Sequence, residues 1–263
     1  MKRIAAFVLL AYGFSWLVWL PLVLERRGLG HAPPVLHLVG ALGPMVAALL
    51  VDPRAVRAGL RTRARYIALG LLAPLILFAV ATLGLRAAGR PWPAATAVFA
   101  TTGAFAGMSL PAYWAANLLF YGLGEEAGWR GFLLPAVGIE RPLRASLVVA
   151  VVWCVWHLPL FFFVDGYMAM NAAGAAGWVA SMVTGSILMT WLFRFSRGSI
   201  LACAAFHGSL DVAINSPVGP ELAPVMGALL TIVGSTVAFC LVRSKTAGRW
   251  TASGGTTLAP SGP

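Results

Sequence analysis

Apolar segments of membrane-spanning length recur along almost the whole chain, and they limit what it can fold into. An apolar helix of about 20 residues satisfies its own backbone hydrogen bonds inside a bilayer, so such runs predict transmembrane helices. The runs lie at 4–24, 35–51, 66–85, 105–123, 143–163, 176–193, 199–215 and 222–242. We therefore predict an all-α fold, a polytopic membrane helix bundle of about eight transmembrane helices.

The first of these runs follows Met-Lys-Arg and could belong to a signal peptide. It is longer than the hydrophobic region of a typical signal peptide, and no small-x-small cleavage site follows it. We expect it to be retained as a signal-anchor helix.

Composition supports the same class of protein. The chain is 60% hydrophobic and only 10% charged, with a mean hydropathy of +0.85, which a soluble domain could not cover with polar surface. Its net charge of +11 comes from short basic clusters between apolar runs. Because no basic domain collects this charge, we expect the lipid bilayer and no nucleic acid as a partner.

The basic residues also predict an orientation. If all eight runs cross and the N-terminus is cytoplasmic, the cytoplasmic side holds all of the 19 Lys and Arg, Arg130 included, except Arg26, Arg27, Arg86 and Arg90. This positive-inside bias predicts an even number of spans, with both termini in the cytoplasm. We expect an integral, multi-pass protein of the plasma membrane, with one domain over 1–250 and a disordered polar tail over 251–263.

Ionisable side chains within predicted spans are costly, about 2.5–3.5 kcal/mol each near a helix centre, so each requires a partner or a function. Six side chains fall in this group: Glu125, Glu126, Arg130, His157, His207 and Asp211. His37 lies just inside the second run without a patterned partner. We interpret it as an interfacial histidine bonded to a carbonyl and leave it out of the candidate site.

The stretch YGLGEEAGWRGFLLP contains two adjacent acids and one base. On a helix Glu126 and Arg130 are four residues apart with the acid first, which is the favourable orientation for an ion pair. Glu125 is rotated by about 100° and lacks such a partner. We predict a structural salt bridge between Glu126 and Arg130 and a free carboxylate at Glu125, the alternative being a segment that leaves the membrane with all three side chains solvated.

Two further runs carry polar groups at helical spacing. Trp153 and His157 are four residues apart, and so are His207 and Asp211. Either histidine alone could be a core residue with satisfied hydrogen bonds. Together with Glu125, however, these groups provide a base for water and donors or metal ligands for an oxyanion, which are the parts of a hydrolytic site.

In the order and spacing of three motifs, the chain resembles the CPBP family, the CAAX prenyl protease and bacteriocin-processing intramembrane proteases also called Abi. The motifs are EExxxR, aromatic-xxx-His at Trp153 and His157, and His-xxx-Asn/Asp at His207 and Asp211, within roughly 115–215. The sequence differs from the family pattern at two positions. Trp153 replaces the usual Phe, a ring change expected to affect packing more than chemistry, and Asp211 replaces the Asn of the prenyl-protein processing members.

The resemblance implies an intramembrane endopeptidase that hydrolyses a membrane-bound or lipidated peptide or protein. In that reading Glu125 and His157 activate water, His207 and Asp211 stabilise the oxyanion, and Trp153 lines the substrate cavity. The cofactor is left open: either a divalent metal such as zinc, bound by Glu125, His157, His207 and Asp211, or none.

Two other functions remain open at this stage. One is a non-catalytic membrane interaction or bacteriocin-immunity factor that retains the polar cluster for folding. The other is a small transporter with a proton relay, although the chain has no inverted halves and no paired broken helices. Because no member of the motif set is missing, we favour the endopeptidase.

Overall fold

The computed structural model describes residues 1–90, 105 and 107–243, and within these ranges the fold is helical with no strand. We number the helices α1 Lys2–Arg26, α2 Val35–Gly40, α3 Gly43–Val51, α4 Pro53–Gly59, α5 Ala64–Ala87, α6 110–138, α7 Pro142–Trp156, α8 Asp165–Met168, α9 Ala172–Phe195, α10 Ile200–Ile214 and α11 Gly219–Arg243. A 3₁₀ turn, Leu158–Phe162, follows α7. The predicted all-α membrane bundle is confirmed. The predicted tail at 251–263 lies outside the described residues.

In the described part of the chain, fewer helices than the eight predicted runs are long and apolar enough to span a bilayer by themselves. Five pass that test: α1, α5, α7 extended to Phe162, α9 and α11. A sixth span results if α2 and α3 are joined to α4, from which they are bent by 115°. The remaining two runs correspond to α6, which is irregular, and to α10, which has only 15 residues.

Helix α10 is short because it lies inside the bundle. At 1.5 Å per residue it is about 22 Å long, less than the thickness of a bilayer core. It packs against α5, α6, α9 and α11, and most of its side chains are buried. Its surroundings are therefore mainly protein, which allows it to carry His207 and Asp211.

The close approach of α6 and α10 depends on glycine. A Cβ atom on Gly208 would lie 2.7 Å from the Cα of Leu118 and 2.8 Å from the carbonyl oxygen of Asn117, closer than real Cβ contacts come. The Tyr113 hydroxyl also donates to the Val212 carbonyl, 2.8 Å away. Small residues at helix interfaces let backbones meet in membranes, and here they bring α10 against the acidic segment of α6.

Helix α6 contains two π-helical segments, Asn117–Leu123 and Trp129–Leu133, on either side of a short α-helical piece, Gly124–Gly128. The predicted end of this run at 123 is wrong, since the helix continues to 138. The acidic residues do not end the helix because Glu126 pairs with Arg130 and Glu125 accepts hydrogen bonds from two indoles inside the bundle. Irregular π turns occur often at functional sites, and here one lies before and one after the turn that carries the two glutamates.

Helix α7 is attached to α1 by polar contacts made to its backbone. The Tyr12 hydroxyl donates to the Val152 carbonyl at 2.5 Å, and the Trp16 indole donates to the Trp156 carbonyl at 3.0 Å. On its other side the Ser146 hydroxyl donates to Thr190 on α9 at 2.8 Å. The two bonds from α1 fix the C-terminal end of α7, where Trp153 and His157 lie, and the Ser146 bond joins the N-terminal part of α7 to α9.

One ion pair lies at each end of α1 and joins it to another part of the chain. Arg3 contacts Asp52, at the bend between α3 and α4, at 2.7 Å, while Arg26 pairs with Asp165 at the start of α8. These contacts place the 1–3 and 52–54 segments at one end of the bundle and the 164–165 segment at the other.

Candidate active site

Glu126 forms the centre of a buried charge cluster. The Arg130 guanidinium donates from Nη1 to Glu126 Oε1 at 2.8 Å, and His207 Nδ1 lies 2.9 Å from the same oxygen. Both Glu126 and Arg130 are 0% exposed. The ion pair between Glu126 and Arg130 that the four-residue spacing predicts is therefore present. The contact of Glu126 with His207, on another helix, was not predicted.

His207 lies between two carboxylates. Its Nδ1 faces Glu126, and its Nε2 lies 3.4 Å from Asp211 Oδ2, one helical turn along α10. An ionised carboxylate can only accept hydrogen bonds, so the bond to Glu126 requires a proton on His207 Nδ1. Glu126 therefore orients this ring in addition to binding Arg130.

Glu125 has different partners from its neighbour. The indole N–H groups of Trp153 and Trp129 both donate to Glu125 Oε2, at 2.7 and 3.2 Å. The prediction of a free carboxylate is wrong in this respect. Four-residue spacing reveals ion pairs within one helix, whereas the shorter of these two hydrogen bonds comes from another helix, α7. Within the described residues Glu125 has no salt-bridge partner, and Oε1 makes no hydrogen bond.

The alternative in which this segment is solvated is excluded. Glu125 is only 3% exposed, and it lies beside the fully buried pair of Glu126 and Arg130. Charged side chains in such a place are stable only when they are neutralised or hydrogen-bonded. Arg130 was also counted among the cytoplasmic topology charges, and that assignment is wrong because its charge is neutralised inside the protein.

His157 lies at the end of α7, not deep within a continuous helix. The helix ends at Trp156, two residues before a Leu-Pro pair, because proline lacks the N–H that would continue it. His157 Nδ1 lies 2.8 Å from the Trp153 carbonyl oxygen. Since a carbonyl can only accept, Nδ1 carries the proton and the neutral ring has its acceptor at Nε2.

Aromatic rings enclose His157 and separate it from the other polar groups. The Tyr167 ring stacks on it at 6.2 Å between centroids, and Trp178 meets it edge-on at 5.7 Å. In the described part of the chain no hydrogen bond joins His157 to Glu125 or His207. The Trp153 ring lies between them, 5.8 Å from the His157 ring and 5.3 Å from the His207 ring.

Trp129, Tyr121 and His37 lie near the site but were not among the candidate site residues. Trp129 is four residues from Glu125, so its spacing could have revealed it had indole donors been considered. His37, interpreted as an interfacial residue, has its Nδ1 3.4 Å from the Tyr121 hydroxyl on α6. Its neighbourhood of aromatic rings gave no signal in the sequence.

The residues as placed do not form a metal site. Among the described residues, no three His, Cys, Asp or Glu side chains lie close enough together to bind one ion. A catalytic zinc ion takes three protein ligands, and these residues do not bring three such donors to one point. The proposed ligand set of Glu125, His157, His207 and Asp211 does not fit this arrangement.

Comparison with known proteins agrees with the motif assignment. Residues 106–213 match the family model of type II CAAX prenyl endopeptidases, described as Rce1-like. This match agrees with the resemblance of the segment to the CPBP family. The chain is also 30% identical over 95 residues to CAAX prenyl protease 2 of Methanococcus maripaludis, a match that covers 34% of the chain and 35% of that protein. The chain therefore spans about a third of the length of this curated relative.

The matched segment covers α6 to α9 and nearly all of α10. Every residue of the three motifs lies on α6, on α10 or at the C-terminal end of α7. Helices α1 to α5 lie before the matched residues, yet they contact the site, since α3 packs along the acidic part of α6. The segment thus supplies the polar groups, and the helices before it help to keep them away from lipid.

We predict that Arg130→Ala destabilises the folded protein strongly, because Glu126 then remains buried without a cation. Removing one partner of a buried ion pair costs about 3–5 kcal/mol. The free energy of unfolding, measured by SDS titration in mixed micelles, reports this loss. As the matched control, Arg3→Ala breaks the solvent-exposed pair with Asp52 and should cost about 1 kcal/mol or less. Equal losses in the two variants contradict the structural role of Arg130.

Proposed function

We propose that this protein is an intramembrane endopeptidase that hydrolyses a peptide bond of a membrane-bound or lipidated substrate. The observation that carries the proposal is the state of Glu125. It is a buried carboxylate without a cationic partner among the described residues, and two indoles hold one of its oxygens while the other makes no hydrogen bond. A general base needs an oriented acceptor of this kind.

In the proposed reaction Glu125 takes a proton from a water molecule as the water oxygen attacks the scissile carbonyl carbon. His157 assists, since its Nδ1 proton is committed to the Trp153 carbonyl and its Nε2 is the remaining acceptor. When the C–N bond breaks, the protonated Glu125 returns its proton to the leaving amine. Water outside this enclosed site has no such base beside it.

In this proposal His207 stabilises the oxyanion. Glu126 and Asp211 flank the ring and favour its doubly protonated form, whose Nε2–H is a charge-assisted donor. A donor already oriented by the protein stabilises the developing charge without rearrangement. Arg130 acts indirectly, because it fixes Glu126, which fixes His207.

A metal-independent mechanism agrees best with these contacts. The donor set does not converge on one point, and His207 Nδ1 is already hydrogen-bonded to Glu126. In this view Asp211 supports the charge of His207 by pairing and is not a ligand.

The name of the archaeal relative, CAAX prenyl protease 2, supports a substrate with a lipid-modified C-terminus. We extend this only to its chemistry, a peptide held in the bilayer by a prenyl chain or by its own apolar segment. The bilayer location of the site agrees with either form. We also propose that residues 1–250 act as one CPBP-like protease domain in the plasma membrane.

The ion pairs at the two ends of α1 support an orientation with the N-terminus in the cytoplasm. Arg3 and Asp52 lie at the end where basic residues concentrate, and Arg26 and Asp165 lie at the opposite end. An excess of Lys and Arg marks the cytoplasmic side of membrane proteins.

We predict that Glu125→Gln abolishes cleavage of a membrane reporter while folded protein is retained. Glutamine preserves an acceptor for the two indoles but is not a base at neutral pH. Purified protein in liposomes is tested with a prenylated CAAX peptide and with an unlipidated single-span peptide, and Glu221→Gln, which changes an exposed acid in α11, is the matched control.

Three outcomes decide the proposal. Cleavage by wild type and Glu221→Gln but not by Glu125→Gln supports it. Cleavage by Glu125→Gln at the wild-type rate contradicts the role of Glu125. Intact reporters with every variant, wild type included, favour the non-catalytic interaction or immunity factor.

Asp211→Asn is expected to keep substantial activity, and wild-type activity is expected to be insensitive to chelators. Asparagine keeps the hydrogen-bonding shape of Asp211 and removes only its charge. Metal content of the purified, active protein is measured alongside cleavage. Stoichiometric zinc that is lost together with activity in Asp211→Asn contradicts the metal-independent mechanism.

Reporter domains fused at Thr251 and within the 164–175 loop should report opposite sides of the membrane. The fusion at Thr251 is expected in the cytoplasm and the loop fusion outside it, as the charge distribution requires. Protease protection in intact cells and in inverted vesicles provides the measurement. The same side for both fusions contradicts the proposed topology.

A further inference from the structure

Trp153 contacts four residues of the candidate site: Glu125, His157, Arg130 and His207. Its indole N–H donates to Glu125 Oε2 at 2.7 Å, at the short end of the range for N–H···O bonds. Its own carbonyl oxygen accepts the bond from His157 Nδ1. One residue on α7 thus orients both of the groups to which we assign water activation.

The two sides of the Trp153 ring are also occupied. The Arg130 guanidinium carbon lies 4.8 Å from the ring centroid, at the distance of a cation–π contact. The His207 ring meets it edge-on at 5.3 Å, with the two planes at 76°. A cation over the face draws electron density from the indole and makes its N–H a better donor. Packing against α6 and α10 leaves the side chain 7% exposed, with little freedom to rotate.

The direction of the Trp153 bond has a consequence for Glu125. Trp153 and Trp129 both donate to Oε2, and no hydrogen bond reaches Oε1 from any described residue. Fixing one oxygen of a planar carboxylate from two directions also fixes the plane of the group. The oxygen that remains available for a proton is therefore Oε1.

We propose that Trp153 is a positioning residue, whose indole N–H holds Glu125 Oε2 and so presents Oε1 to the reacting water. This inference rests on the proposed function of Glu125 as the base. It also corrects the expectation that a tryptophan here differs from the family's usual phenylalanine mainly in packing. Phenylalanine could fill much of the same space but has no N–H to donate.

The hydrogen bond can be tested without activity. Full-length protein labelled with ¹⁵N at the indole nitrogens is compared in detergent micelles with its Glu125→Gln variant. The Trp153 resonance is identified by its absence in Trp153→Phe, and the Trp16 resonance likewise by its absence in Trp16→Phe. The Trp16 indole donates to a backbone carbonyl on α7 and not to Glu125, so it serves as the internal control.

We expect the Trp153 indole proton to move to lower chemical shift in Glu125→Gln, because its acceptor loses a negative charge, while the Trp16 proton stays in place. An unchanged Trp153 resonance overturns the inference. This readout is independent of turnover, so it decides the inference even if wild-type protein cleaves neither reporter and the proposed function fails.

Kinetics then separate positioning from substrate binding. In Trp153→Phe we expect kcat to fall roughly ten- to hundredfold with KM unchanged, the effect of losing one hydrogen bond to a charged group. Trp16→Phe also loses one indole N–H bond, but that bond does not reach Glu125, so kcat should fall clearly less than in Trp153→Phe. A raised KM with unchanged kcat in Trp153→Phe overturns the inference and assigns the ring to the substrate cavity instead.

Discussion

The buried ion pair between Glu126 and Arg130 is the interaction on which the rest of the site depends. Both side chains are fully buried, and a charge left alone there is far more costly than an exposed one. Because Glu126 also binds His207, the pair joins α6 to α10 in addition to neutralising itself. The close packing at Gly208 permits this contact, since a larger residue would hold the helices apart.

The two adjacent glutamates have separate roles because their neighbours differ. Glu126 faces a full positive charge and a histidine, whereas the hydrogen bonds that Glu125 accepts from described residues come from the N–H groups of two indoles. Indole donors orient a carboxylate without forming an ion pair with it, so Glu125 keeps the capacity to accept a proton. Under the proposed mechanism, one turn of a membrane helix holds one acid for structure and one for chemistry.

Contacts within one helix could be predicted from the sequence, and contacts between helices could not. Four-residue spacing correctly put Glu126 beside Arg130 and His207 near Asp211. It could not show that Trp153 reaches Glu125 or that Glu126 reaches His207, because these pairs are separated by 28 and 81 residues. Hydropathy found the helices but overestimated how many span a bilayer by themselves, since α10 is shielded by protein and needs less length.

A double-mutant cycle between Glu126→Gln and His207→Gln tests most directly whether the buried pair joins α6 to α10. The free energy of unfolding is measured by SDS titration for the wild type, both single variants and the double variant. We expect the two substitutions to be coupled by about 1 kcal/mol or more, because each removes one side of the same hydrogen bond. Additive effects, within about 0.3–0.5 kcal/mol, would mean that Glu126 and His207 fold independently and would contradict the account.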